Sequence, residues 1–162
     1  MERSQGSLIT VESLVRDHWR AVLALCLART PSLADAEDAA QETMGRAIAR
    51  LGSLRDPAKI RAWLFQIARR VCSDFARRRR PIQSLTDQAP APDRAADPRL
   101  EQLQMAITRL PLPYREVITL YYLDGHSTAE VAATLGFTPA AVRQRLTRAR
   151  LMLHKLMAED RT

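Results

Sequence analysis

STAEVAATLGFTPAAVRQRLTRARLMLHKL, residues 127–156, reads as two helices joined by a tight turn. Ser127 can cap the first helix, and Glu130 three positions later completes a capping box. Gly136 ends that helix, since glycine takes a left-handed conformation without steric cost. Thr138 can cap the second, with Pro139 at the first helical position, where a missing N–H does no harm. Short helix, glycine turn and longer helix together predict a helix-turn-helix. In the second helix Val142, Leu146, Ala149, Leu153 and Leu156 recur at spacings of four and three and form one apolar stripe. Projection at roughly 100° per residue puts Ala140, Gln144, Thr147 and Arg148 opposite that stripe, with Arg143, Arg145 and Arg150 on its flanks. Small residues at the N-terminus of such a helix permit close approach to a DNA major groove, and Gln and Arg can reach base edges there.

Working outward, charge supports a polyanionic partner. Twenty-five basic residues against eighteen acidic give a net charge of +7 and an isoelectric point near 10.4. Lys59 and Lys155 are the lysines; every other basic residue is arginine, which suits bidentate phosphate and guanine contacts. Apolar residues make up 46% of the 162, enough for real cores, and no run is long enough to cross a membrane. The N-terminus lacks a basic-then-apolar leader pattern, so the expected location is the cytoplasm. Cys26 and Cys72 fall within apolar helical patterns and outside any CxxC pair, which predicts buried thiols.

From about Thr10 to Arg29 the spacing predicts a helix, with Val11, Val15, His18, Val22 and Leu25 as its stripe and Trp19 and Leu23 alongside. No second ligand lies three or four residues from His18, so it reads as a packed histidine and not a metal ligand. A second helix begins near Ser32 and buries Ala36, Ala39, Ala40, Thr43, Met44, Ala47, Ile48 and Leu51. Its other face carries Asp38, Gln41, Glu42 and Gly45. Acids in a first turn serve the helix dipole, but the dipole does not explain why Gln41 and Glu42 extend the strip. A protein-binding face does.

Asp56-Pro57 is a cap followed by proline, and it starts a strongly basic helix with Leu64, Ile67, Ala68, Val71, Cys72 and Phe75 inward. Residues 61–80 hold seven arginines against Asp74 alone, and the helix also carries Trp63 and Phe65, a combination that suits a nucleic-acid surface. Pro81 to Asp97 then has no sustained period and reads as a linker between two small domains. Asp97-Pro98 restarts helix, with Leu100, Leu103, Ile107 and Leu110 inward. Leu-Pro-Leu-Pro at 110–113 breaks it, and a further helix runs from about Pro113 to Leu123 before Asp124-Gly125. No alternating strand pattern occurs, so the expected fold is all-α, with two small helical domains. Glycine phosphate loops, histidine pairs, cysteine clusters and nucleophile motifs are absent from the sequence, so no enzyme, cofactor, metal site or small-molecule substrate is expected.

Three blocks, DAEDAAQETMGRAI (35–48), WLFQIARRVCSDFARRRR (63–80) and LPLPYREVITLYYLDGHSTAEVAATLGFTPAAVRQRLTRARLMLHKL (110–156), resemble bacterial RNA polymerase sigma factors of the extracytoplasmic-function type. They occur in the family's order on both sides of a linker. The resemblance implies a sigma domain 2 over 10–80, a flexible linker over 81–97 and a sigma domain 4 over 98–158. It implies that Asp38, Gln41 and Glu42 bind the clamp helices of the core polymerase's largest subunit. Trp63, Arg69, Arg70, Asp74, Arg77 and Arg78 would lie near the minus-ten element. Ser127, Thr138, Pro139, Ala140, Arg143, Gln144, Arg145, Thr147 and Arg148 would lie at the minus-thirty-five element, in a domain that also docks on the polymerase flap. Members are often held by an anti-sigma factor. Two positions depart from the family pattern: Arg70 replaces a common asparagine, and Ala141 replaces a common threonine, so base recognition there does not carry over. The competing expectation is a regulator that uses the same helix-turn-helix without joining polymerase, and it leaves the acidic strip and the 61–80 helix without a role.

Overall fold

The structure, a computed structural model, describes residues 8–79 and 98–160. Seven α-helices account for most of these residues: α1 (Val11–Arg29), α2 (Leu33–Ala49), α3 (Ile60–Arg79), α4 (Pro98–Arg109), α5 (Leu112–Leu123), α6 (Thr128–Leu135) and α7 (Pro139–Glu159). Two short 3-10 turns, Leu51–Ser53 and Pro57–Lys59, connect α2 to α3. No strand occurs among the described residues, and the fold is all-α. The expected linker at 81–97 lies outside the described residues.

The helix ends follow from local chemistry. Thr10 and Ser13 form a reciprocal capping box at the start of α1, and the Ser32 hydroxyl accepts from the Asp35 N–H at the start of α2. Asp56 accepts from the Ala58 N–H, and Pro57 follows it, so the chain turns into α3 through one 3-10 turn. Pro111 precedes α5, and Gly125, at φ 70°, lets the chain leave it.

In the N-terminal unit α1, α2 and α3 pack against one another. The alanines of α2 (Ala36, Ala39, Ala40 and Ala47) are fully buried and bring its backbone close to its neighbours. In the C-terminal unit α7 packs against α4, α5 and α6. The two units meet along α1 and α5, with α6 touching α3, so the buried side chains form one continuous cluster. The seam carries polar ties. Arg29 Nε donates to Glu116 Oε1 at 2.6 Å, and Arg20 Nη2 donates to the Leu123 carbonyl at 3.4 Å. Arg61 reaches Asp124 at 3.7 Å and His126 Nδ1 at 3.2 Å, while His126 also pairs with Asp124. Beside this group, burial and then the charge on Arg61 hold His18 below the usual histidine range. His18 is half-buried, as a packed histidine should be.

The expected stripes need revision on four helices. On α1 the buried positions are Leu14, Ala21, Val22, Ala24, Leu25, Cys26 and Ala28, whereas Val11 and Val15 are exposed. Because α1 packs against α2, α3 and α5, its covered sector is wider than one stripe and starts further along the helix. On α3 Phe65 is 1% exposed and belongs to the core, not to a nucleic-acid surface. Phe75, expected inward, is half-buried, with the Arg78 guanidinium 5.7 Å from its ring centroid. On α2 Ile48 is exposed, and the buried sector ends at Ala47. In α4 Ala106 is buried while Leu103 and Ile107 are half-buried, and Leu110, just past its end, is buried.

Candidate nucleic-acid interface

The helix-turn-helix is built as its sequence dictates. The Ser127 hydroxyl accepts from the Glu130 N–H at 3.2 Å, and Glu130 Oε2 accepts from the Ser127 N–H at 2.8 Å. That second bond, donated by the Ser127 backbone, holds the Glu130 carboxyl below its usual range. Gly136 closes α6 at φ 75°, ψ 32°, and the Thr138 hydroxyl then accepts from the Ala141 N–H at 3.1 Å. Val142, Leu146 and Ala149 are buried beneath α7, with Leu153 and Leu156 partly buried behind them.

This packing fixes which α7 side chains face solvent. Pro139, Ala140, Arg143, Gln144, Thr147 and Arg148 are all exposed. At roughly 100° per residue Ala140, Arg143, Gln144 and Thr147 share one sector, with Arg148 at its edge. Arg145 does not join them: its guanidinium stacks 3.7 Å from the Phe137 ring centroid and its side chain is half-buried. Ser127 and Thr138 are exposed but already engaged as caps. Arg150, a flank residue, is tied to the Tyr122 hydroxyl at 2.8 Å.

On α3, Trp63, Arg70, Asp74, Arg77 and Arg78 fall along one stripe at spacings of seven, four, three and one. Arg69 sits roughly a third of a turn away from it. Trp63 is half-buried against the core, and Arg70, Arg77 and Arg78 are exposed. The arginine run at the end of α3 is not uniform. Arg79 turns back to pair with Asp35, an acid in the first turn of α2 that is 2% exposed.

On α2, Asp38 and Gln41 are exposed and Glu42 is half-buried, all on one face. Arg46 joins that face to α3. One guanidinium nitrogen pairs with Glu42, and the other lies 3.4 Å from Asp74. Its spacing of four from Glu42 marks the first pair in the sequence. Nothing local marks the second, because Asp74 is 28 positions away. The acidic strip and the basic stripe are therefore neighbours linked by ion pairs.

Comparison with known proteins bears on what these surfaces serve. The pattern described as Sigma-70 region 2 matches residues 14–82, and the pattern described as Sigma-70, region 4 matches residues 100–153. The ECF RNA polymerase sigma factor SigM of Mycobacterium tuberculosis is 32% identical over 155 residues, covering 94% of this chain and 79% of its own. The chain belongs to the ECF sigma factors. It is also 39% identical over 142 residues to a probable RNA polymerase sigma factor RfaY of Xanthomonas campestris, covering 80% of this chain but only 36% of that protein. Among solved structures, the sigma factor RpoE of Bartonella quintana, in complex with the anti-sigma factor NepR, is similar at a TM-score of 0.67 and 26% identity. That match covers 91% of this chain and 96% of RpoE. CnrH, in complex with the cytosolic domain of CnrY, is similar at a TM-score of 0.66 and 30% identity, over 93% of this chain and 88% of CnrH.

The two regions of this ECF sigma factor coincide with the two packed units, one holding α1–α3 and the other α4–α7. Among the described residues no group of three or more histidine, cysteine or acidic side chains is arranged to hold a metal. No described helix is long and apolar enough to cross a membrane. The family is one of sigma factors, which are not enzymes.

Proposed function

We propose that this sigma factor binds core RNA polymerase through Asp38, Gln41 and Glu42 and directs promoter-specific initiation through two DNA-facing surfaces. Residues 10–80 act as domain 2 and residues 98–158 as domain 4, with 81–97 as the tether. The observation that carries this assignment is the placement of an exposed acidic strip beside a basic α3 stripe, in a chain whose α7 exposes Arg143 and Gln144 on one sector. A regulator working without polymerase has no use for the strip. Trp63, Arg70, Asp74, Arg77 and Arg78 are assigned to the minus-ten element, with Arg69 flanking them. Ala140, Arg143, Gln144, Thr147 and Arg148 face the minus-thirty-five element. Ser127, Thr138 and Pro139 act by positioning the helix, and the stack on Phe137 gives Arg145 a supporting role. The protein performs no chemistry of its own; polymerase supplies it, in the cytoplasm. An anti-sigma protein is the partner that restrains it.

Two grips on one chain raise each other's effective concentration, so neither need be strong alone. Run-off transcription with purified core polymerase over a random promoter library tests the assignment: enrichment of one bipartite sequence is expected, and initiation no different from core enzyme alone would overturn it. Arg143→Ala or Gln144→Ala is expected to weaken promoter discrimination by about 1–3 kcal/mol, the size of a good base contact. Competition binding of the holoenzyme between matched and mismatched minus-thirty-five elements measures it. Unchanged discrimination in both variants would take these residues off the reading face.

A further inference from the structure

A cavity of about 430 Å³ lies between the two units, lined by arginines from three helices: Arg29 of α1, Arg79 of α3 and Arg115 of α5. Asp35, Thr30 and Thr108 are also in its wall. Two of the arginines are paired with acids. Arg29 Nε donates to Glu116, and Arg79 Nη2 pairs with Asp35. Each pair is neutral and spends one of the five N–H groups of its guanidinium. Among the described residues Arg115 has no ion pair, and its Nε is buried with no hydrogen-bond partner. The wall therefore carries one uncompensated positive charge. Burial, opposed in part by Glu116, holds Arg115 below the usual guanidinium range, and the charge on Arg29 pushes the same way. A second orphan has the opposite sign: Asp35 is 2% exposed, and its Oδ2 is buried with no hydrogen-bond partner among the described residues. The Thr30 and Thr108 hydroxyls already donate to the Cys26 and Met105 carbonyls, both at 2.7 Å, so neither is free to donate to a ligand. The wall suits one ligand that accepts from guanidinium groups and donates to a carboxylate.

We propose that this cavity binds inorganic phosphate as hydrogenphosphate, with Arg115, Arg29 and Arg79 holding its unprotonated oxygens and Asp35 Oδ2 accepting its remaining proton. Guanidinium forks match the geometry of oxyanions. Three of them, from three helices, suit a tetrahedral anion, whose oxygens point in several directions, better than a planar carboxylate. The proton is the selective feature. Hydrogenphosphate keeps one hydroxyl above neutral pH, whereas sulfate has none and a phosphate monoester, with a second pKa of about 6, has lost its own. An anion without that proton sets a lone pair against the Asp35 carboxylate and leaves Oδ2 unsatisfied. A space of about 430 Å³, against roughly 30 Å³ for one water, takes the anion with several waters around it. Arg79, whose side chain is 49% exposed, is the wall residue with solvent to swing into as the anion enters. Arg29, Asp35 and Arg79 belong to the N-terminal unit and Arg115 to the C-terminal unit, so the bound anion braces the two units against each other.

Isothermal titration of the full chain at about pH 8 and fixed ionic strength, with inorganic phosphate, sulfate and glycerol phosphate in turn, tests the site. All three anions are then essentially doubly charged, and only inorganic phosphate keeps a proton. Phosphate is expected to bind at least about ten-fold more tightly than either of the others, since they leave a buried acceptor unsatisfied. Arg115→Gln should weaken phosphate binding at least about ten-fold, because it removes the charge that no acid in the wall balances. Asp35→Asn, whose amide can donate as well as accept, should bring the phosphate and sulfate affinities to within about three-fold of each other. Circular dichroism checks that each variant is folded. No binding at millimolar phosphate, sulfate or glycerol phosphate binding as tightly as phosphate, a folded Arg115→Gln protein with parental affinity, or a folded Asp35→Asn protein with parental selectivity would each overturn the proposal. The comparison of the three anions needs no variant, so it decides the matter even if both substitutions unfold the protein.

Discussion

Phe65→Ala is expected to cost the N-terminal unit about 3–5 kcal/mol of stability, the usual range for truncating a buried phenylalanine. The ring is 1% exposed and is among the largest fully buried side chains of the protein. It belongs to α3, which packs against both α1 and α2, and close-packed interiors relax only partly around a lost ring. Small domains hold only about 5–15 kcal/mol in reserve, so the variant should sit close to its unfolding threshold. Urea unfolding followed by far-ultraviolet circular dichroism measures the loss. Trp63→Ala, at a half-buried position two residues away, serves as the comparison and should cost clearly less. A Phe65→Ala loss below about 1 kcal/mol would mean that the ring lies at a surface, as an outward aromatic on a DNA-binding helix would.

Asp38→Lys is expected to abolish co-purification with core polymerase. Asp38 is exposed and lies beyond the first turn of α2, so the helix dipole does not require its charge and the fold should tolerate the change. Reversing a charge at an interface removes one attractive pair and creates a repulsive one; about 2–5 kcal/mol is typical for a desolvated pair. That range corresponds to roughly 30-fold to several thousand-fold in Kd, enough to lose a complex during washing. Pull-down of the full chain on immobilised core enzyme, with circular dichroism as the folding control, reads the effect. A folded Asp38→Lys protein that still binds at parental levels would sink the assignment of the strip.

Features with local causes were legible from the sequence. The caps at Ser127 and Thr138, the left-handed Gly136 and the α7 stripe through Val142, Leu146 and Ala149 depend on residues within one or two turns of each other. The exposure of Asp38, Gln41, Arg143 and Gln144 followed from the same periodicity. What escaped was set by distant partners. Asp35 gave no sign of Arg79, 44 positions away, and Glu116 none of Arg29, 87 positions away. Phe65 proved buried and Phe75 only half-buried, because a helix covered from more than one side buries more than a single stripe. Arg145 was placed with the readers because an aromatic stack with Phe137 leaves no trace in helical spacing.

Arg46 is a single cation shared by two carboxylates, one on each working surface. A cationic group arriving at Glu42 would compete for that carboxylate and leave the guanidinium free to neutralise Asp74 more fully. The α3 stripe would then repel phosphate less. Thermodynamic linkage makes the effect mutual: whatever factor polymerase binding adds to promoter affinity, promoter binding adds to polymerase affinity. The two associations therefore have a coupling free energy that a double-mutant cycle at positions 42 and 74 can measure, and its expected sign is favourable.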